Sequence, residues 1–435
     1  MSSALRLADR QNPEIGEARV VILEALAERQ AARALLLPYL NVGTNYHNHN
    51  GPLQRSSGAI LPLTAEQSLY VGGGARTLAA ESLGIPAVNI FSPLTEAIFE
   101  PLAAQQRVIG TRFEASDTAN KVLLEVSRLY IELVAAKAIL EVRRENASEA
   151  DKIADSVAAY AATGQGRRAD ADRADADRRL FQVEIQKAEE EVAVASALLC
   201  QRLNLDPSAE LSPIAGPLDP IELIDFNAST EDLIQSAVVR RPDLAARGAL
   251  VERAEIIVRR EKARPLLPTV WLGFSGGAFG GGSAYPGIPT TLSAFAGRTD
   301  FDVRAVWTLL NLGAGNSSLI KRSKAQAGEA IAERSRVLNQ VRDEVAAARA
   351  KTIALRSQVE VAQAGVRSAE DGYRQDQIRL RESLSLPIEA LDSLRLVADA
   401  RIALIRAITR SNQAQFSLFV SLGAPPPIAP PPVAE

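Results

Sequence analysis

Two histidines and one cysteine are the only imidazole and thiol groups in the 435 residues of this chain. His47 and His49 stand two apart, so on a strand both rings share one face, and three copies of the chain would present six imidazoles to a common ion. No carboxylate or cysteine accompanies them in the sequence, and polar strand or loop residues are the simpler reading. Cys200 lies in an apolar run with Ala197, Leu198 and Leu199, where a lone thiol fills a core and forms no internal disulfide. Gly276, Gly277, Gly280, Gly281 and Gly282, like Gly72, Gly73 and Gly74, could cradle a phosphate only if a lysine and a hydroxyl residue followed, and none does. These stretches read as loops. Glu389 and Asp392 are three apart and share one helix face. The run Arg167, Arg168, Asp170, Asp172, Arg173, Asp175, Asp177, Arg178, Arg179 pairs opposite charges at helical spacing, Arg168 with Asp172 and Arg173 with Asp177. No nucleophile, base and orienting group can be assembled from this inventory, so it assigns no catalysis, cofactor or metal.

The elements that carry these residues are unusual for an enzyme. Apolar residues make up 47% of the chain but aromatics only 5%, so Ala, Leu and Val supply the buried surface, as in long packed helices. With 49 basic and 52 acidic residues the chain has no electrostatic footprint for nucleic acid or an anionic lipid surface. No apolar stretch approaches the roughly 20 residues of a spanning helix. The first fifteen residues contain Arg6, Asp9, Arg10 and Glu14 and no apolar core, so they do not read as a signal peptide, and the expectation is that one has been removed.

The chain states its plan twice. Leu36, Leu37 and Pro38 recur as Leu266, Leu267 and Pro268, and Asn12, Pro13, Glu14, Ile15 is echoed by Arg241, Pro242, Asp243, Leu244. Glu125 and Val126 match Glu344 and Val345, and Leu203 matches Leu422, both 219 positions on. A constant offset means two helical hairpins of equal length, with the variation confined to loops. Residues 1–228 form the first repeat, 229–423 the second, and 424–435 a Pro-rich tail, in one intertwined domain. Each repeat reads helix, strand, loop, strand, long helix, tip, helix. Over residues 101–163, Val122, Val126, Leu129, Leu133, Ala136 and Leu140 form one apolar seam and Leu124, Ile131, Ala138 and Val142 a second, so this helix, roughly 90 Å long, has neighbours on both sides. Shorter helices follow over 167–204 and 230–262.

The strands alternate. Leu40, Val42, Thr44 and Tyr46 face one way and Asn41, Gly43, Asn45 and His47 the other; Phe301, Val303, Ala305, Trp307 and Leu309 alternate with Asp302, Arg304, Val306 and Thr308. Such alternation ordinarily marks a half-buried strand of a soluble sheet, but no further strands exist to build one. Strands of this length cross a bilayer when tilted and closed into a barrel, and four per chain are too few to close one, so several chains must share it.

At this point the chain resembles the TolC-like outer membrane efflux proteins, from Leu5 to Pro427. The resemblance rests on the duplicated Pro-led helix starts, the Leu-Leu-Pro approaches to the strands, and Trp307, Thr308, Leu309, Leu310, Asn311, Leu312, Gly313 at the return from strand to helix. It implies a mainly α fold with a small β-barrel portion: duplicated long helical hairpins forming an α-barrel in a homotrimer, and four transmembrane strands per protomer. It further implies an outer-membrane duct with a periplasmic helical extension, working with a periplasmic adaptor and an inner-membrane transporter. The adaptor would meet the hairpin tips, here Gly164, Gln165, Gly166, Arg167 and Arg168 and, 219 positions on, Glu382, Ser383, Leu384, Ser385 and Leu386. Threefold symmetry would turn Glu389 and Asp392 into stacked carboxylate rings, which raise one another's pKa and attract cations where a tunnel narrows. Tyr46, Trp271 and Trp307 are expected in the aromatic girdle against outer-membrane lipid. The alternative from composition is a soluble coiled-coil scaffold; an enzyme with a helical appendage lacks a segment able to hold an α/β core.

Overall fold

The computed structural model describes residues 1–40, 42–54, 57–61, 66–74, 88–164, 166–213, 218–283, 293–382 and 386–427. Within the strands the side chains of several residues, His47 and His49 among them, lie outside that description. The helices are α1 (Ser2–Gln11), α2 (Pro13–Arg33), α3 (Leu94–Ala162), α4 (Arg168–Arg202), α5 (Thr230–Arg240), α6 (Pro242–Ala263), α7 (Ala314–Arg381) and α8 (Pro387–Ser421). The strands are β1 (Tyr39–Leu40), β2 (Val42–His49), β3 (Leu53–Gln54), β4 (Ile60–Leu61), β5 (Glu66–Gly74), β6 (Val88–Pro93), β7 (Thr269–Ser283) and β8 (Ser293–Val306).

The duplication holds to the residue at the helix ends. Helix α3 ends at Ala162 and α7 at Arg381, α4 starts at Arg168 and α8 at Pro387, and both shorter helices have 35 residues. Two expected boundaries are corrected. The long helix starts at Leu94, so Pro101 sits inside it. A proline normally marks a first turn, but here the turns before it are held from α6, by ion pairs of Glu96 with Arg264 and Glu100 with Arg260. The helix expected over 230–262 is two helices, because Arg241 before Pro242 is extended (φ −67°, ψ 122°), as the residue preceding a proline prefers.

The chain divides into two compact units, each drawing on both repeats: Met1–Ile22, Thr111–Arg247 and Arg334–Glu435 form one, Leu23–Gly110 and Gly248–Glu333 the other. In the first, Leu5, Ala8, Val126, Leu199 and Leu203 pack in one cluster, and Leu233, Ala237, Leu244, Val341 and Val345, with Leu422 against them, in another. Val126 and Val345, and Leu203 and Leu422, are repeat mates in equivalent places. The connection after α4 is strapped to the helices by buried amides. Asn412 accepts from the Ile221 N–H (2.8 Å) and donates to the Asp219 carbonyl (2.9 Å), Gln415 accepts from Leu223 N–H, and Arg356 lies 4.3 Å from the Phe226 ring centre.

In the second unit β7 is central. β8 runs along one side of it, while β6 and β5 share the other, against Thr269–Phe274 and Ser275–Ser283 respectively. β1 and β2 lie outside β6 and β5. The eight short segments thus reduce to four antiparallel strand lines, plus the β3–β4 pair, which the sequence pattern did not reveal.

Both shorter helices end on a left-handed residue, Asn204 (φ 56°) in the first repeat and Gly423 (φ 91°) in the second. A Cβ on Gly423 would fall 2.7 Å from the Arg240 carbonyl. Gly423→Ala is therefore expected to cost about 2 kcal/mol or more, whereas Asn204→Gly should change stability by less than about 1 kcal/mol. Thermal melts of the purified protein in detergent check this; equal midpoint shifts for the two variants would refute it.

Candidate conduit site

The sheet has two chemically different faces. Directly opposed residues of paired strands point to the same side, which puts Leu40, Tyr46, Leu272, Phe274, Phe301 and Val303 on one face and Phe91, Trp271, Gly273, Arg298, Asp300, Asp302 and Arg304 on the other. Phe301 and Val303 are 72% and 66% exposed. On the second face Arg298 and Asp300 pair at 2.9 Å. Among the described residues neither edge of this sheet has a partner, since β8 pairs only with β7 and β2 only with β5. Tyr46 thus shares the apolar face, whereas Trp271 lies beside Arg304 on the charged one. Trp307 lies just past β8, exposed, its Nε1–H donating to the Leu266 carbonyl at 3.2 Å. Beyond it Asn311, Leu312 and Gly313 all have positive φ, a turn secured by Asn316 Oδ1 accepting from the Leu310 N–H.

Where strand gives way to helix in this unit, Arg260 and Arg264 from α6 meet Glu96, Glu100 and the nearly buried Glu261. The Arg264 guanidinium at 2.7 Å holds the Glu261 carboxyl below the usual range, against the opposing effect of burial.

In the other unit, the first tip is closed by Gly164 in the left-handed region (φ 77°), with the Gly166 N–H donating to the Tyr160 carbonyl at 2.9 Å. Gly166 has no room for a side chain, because a Cβ would come within 3.1 Å of the Ala161 nitrogen. Arg167 caps α4 and Arg168 begins it. Gln165 and, in the second tip, Ser383, Leu384 and Ser385 lie outside the described residues; Glu382 ends one helix there and exposed Leu386 caps the next. Both tips are supported by one apolar cluster that includes Val157, Phe181, Leu391 and Leu394.

The charge pairing behind the first tip differs from expectation. Arg168 and Asp172 do not pair; instead Asp175 bridges Arg178 and Arg179, and Asp170 meets Arg173 at 3.9 Å. Asp177 turns inward to Arg395 of α8, which also lies 5.4 Å from the Phe181 ring centre. An acid placed N-terminal to its arginine is the better oriented helical pair, and a contact across helices outweighed the local one for Asp177. Glu389 and Asp392 are both exposed on α8, facing away from buried Ala390, Leu391 and Leu394. Neither has a cation partner among the described residues. Among those residues no group of three or more His, Cys, Asp or Glu could hold a metal.

Sequence reading missed one motif outright, a clasp built twice. In the first repeat Arg202 pairs with Glu14 and with Glu125; in the second Arg241 pairs with Asp243 and with Glu344. The carboxylates are repeat mates but the arginines are not, which hid the motif from an offset search.

The fold described here recurs in known proteins. The outer membrane efflux protein family matches residues 233–424. That match covers the second repeat, which is similar to the outer membrane efflux proteins. No curated protein sequence matches the chain. Among solved structures it is similar to the CmeC outer membrane channel of Campylobacter jejuni (14% identity, 97% of this chain and 85% of that one, TM-score 0.76). It is similar also to the open state of the MtrE outer membrane channel of Neisseria gonorrhoeae (18%, 97% and 88%, 0.75) and to a membrane protein from Pseudomonas aeruginosa (17%, 97% and 93%, 0.75). At these identities the likeness shows the fold alone, long paired α-helices with a small antiparallel sheet.

The Arg241 clasp predicts a pH dependence. Burial pushes the Asp243 carboxyl up, but hydrogen bonds and charge from Arg241, helped by the Leu244 N–H, outweigh this and hold it below the ordinary range. A depressed carboxylate adds stability that is full above its unfolded pKa and is lost as pH falls through the folded one. Asp243→Asn should therefore lower the melting temperature at pH 7, with the gap to the parent protein narrowing toward pH 3. A gap that is the same at both pH values would show that Asp243 is not held ionised by Arg241.

Proposed function

We propose that three copies of this chain close one β-barrel and one helical tunnel, forming the passive exit duct of a tripartite efflux or secretion system. The observation that carries this reading is a four-line sheet with two unpartnered edges and one strongly exposed apolar face. Such a sheet cannot stay in water without exposing Phe274, Phe301 and Val303, nor in lipid without pairing its edges. Pairing β8 of one copy with β2 of the next satisfies both demands, and three copies supply twelve strands. Tyr46 and Trp307 then belong to the lipid-side girdle, whereas Trp271 belongs to the lumen side. No described helix is long and apolar enough to cross a membrane; in this reading the apolar sheet face meets the lipid. The scaffold reading leaves the apolar sheet face unaccounted for.

The tips formed by Gly164, Gln165, Gly166, Arg167, Arg168 and by Glu382, Ser383, Leu384, Ser385, Leu386 are the proposed docking surface for a periplasmic adaptor, which connects to an inner-membrane transporter. Their equal reach is the geometric requirement for docking both. Gly164→Trp puts a bulky side chain on a left-handed residue with open space around it. It should leave the trimer folded while reducing export to the level of a deletion strain; wild-type drug tolerance in cells making this variant would count against tip docking.

Glu389 and Asp392, exposed and unpaired in the protomer, are proposed to line the periplasmic entrance as two stacked rings. In planar bilayers, Glu389→Gln combined with Asp392→Asn should lower the preference for cations over anions and weaken block by multivalent cations from the periplasmic side. An unchanged reversal potential together with unchanged block would leave them as ordinary surface charges.

A further inference from the structure

The charged face of the sheet has more detail than a water-filled passage requires. Across β6, β7 and β8, Phe91, Trp271 and Arg304 form one row, and Gly273 and Asp302 stand in the next. Same-face neighbours along a strand are about 6.8 Å apart, so Asp302 and Arg304 are one such step apart beside the two aromatic rings. Gly273, itself buried, adds no side chain next to Asp302. The Asp302 Oδ2 atom is buried yet has no hydrogen-bond partner. Its neighbour Asp300 is already engaged by Arg298, and Arg304 is exposed with no ion pair among the described residues. Phe91 is 52% exposed and Trp271 partly so, leaving ring surface accessible.

Each component selects against a simple ion. A lone cation drawn to Asp302 is repelled by Arg304 one step along the strand, and a lone anion drawn to Arg304 meets Asp300 and Asp302. A molecule that carries both charges on a flat apolar frame satisfies all three elements: its ammonium meets a carboxylate oxygen that lacks a donor, its carboxylate meets a guanidinium, and its ring covers aromatic surface. We infer that Asp302, Arg304, Trp271 and Phe91 form a low-affinity subsite for small aromatic zwitterions on the lumen wall, repeated three times in the trimer. This inference rests on the duct reading, which places the charged face inward.

The chain has two tryptophans, so Trp307→Phe leaves Trp271 as the reporter. Purified trimer of that variant is titrated with 4-(aminomethyl)benzoate, with the cation 4-methylbenzylammonium and with the anion 4-methylbenzoate, and single-channel current is recorded with each in planar bilayers. The zwitterion should change Trp271 fluorescence saturably and interrupt the current, binding about ten-fold more tightly than either single-charge probe. Asp302→Asn and Arg304→Gln should each weaken that binding by about ten-fold. Equal responses to the three probes, no saturable response, or unchanged binding in both variants overturns the subsite. Should Trp307→Phe fail to assemble, interruption of current in the otherwise unaltered protein and in the two charge variants decides the same question. Absence of any conductance in the unaltered trimer would instead strike at the duct reading, whereas conductance without zwitterion binding overturns only the subsite.

Discussion

In hydrocarbon every backbone N–H and C=O must find a partner, and leaving one unmade costs several kcal/mol. On the proposed duct reading that constraint governs this chain. Half of the backbone groups of the 14-residue β8 point away from β7, with no described strand to receive them, and the same holds for the outer side of β2. A bulge between Phe279 and Gly281 adjusts β7 to β8 locally but leaves the edge open. On the proposed duct reading, the demand for closure makes the protomer an incomplete object that its copies complete, and lets a chain so poor in apolar runs enter a membrane.

The helices obey a different constraint, that of reach. Two hairpins that end together need equal arms, and the chain keeps its helix lengths within one residue across the duplication while its loops vary. Small residues make this possible. Many of the buried residues are alanines, including Ala147, Ala150, Ala154, Ala174, Ala390 and Ala398, and alanine lets long helices approach closely at little cost in side-chain entropy. Most of the buried amides bind where regular structure stops: Asn412 and Gln415 hold the strap, and Asn12, Asn120 and Asn316 bond helix ends and turns.

Repeated helix and strand signals were legible because they recur at fixed spacing: prolines before helices, glycine at the first tip, alternation in β8. What was illegible depended on partners distant in sequence. Pro101 looked like a start because nothing local reveals that Arg260 and Arg264 secure the turns before it. Asp177 looked like the mate of Arg173 because periodicity reports only neighbours on the same helix, and Arg395 is 218 positions away. Trp271 and Trp307 looked alike as aromatic residues, and only strand register separates them onto different surroundings. The double clasp escaped because its arginines lie at unrelated positions while only its acids follow the offset.

That relocation of the arginine means the two halves build the same clasp from different places in the chain. In the first half the cation comes from the end of α4, so the clasp ties three distant segments and requires the whole half-chain. In the second, Arg241 and Asp243 sit on one corner and need only α7 to complete the set, while the end of α8 is seated by the shape of Gly423 against the Arg240 carbonyl. An ancestor made of two identical halves would have used one solution in both places. With two solutions present, each half holds a complete clasp of its own, one arginine with two carboxylates, and needs neither charge from the other half.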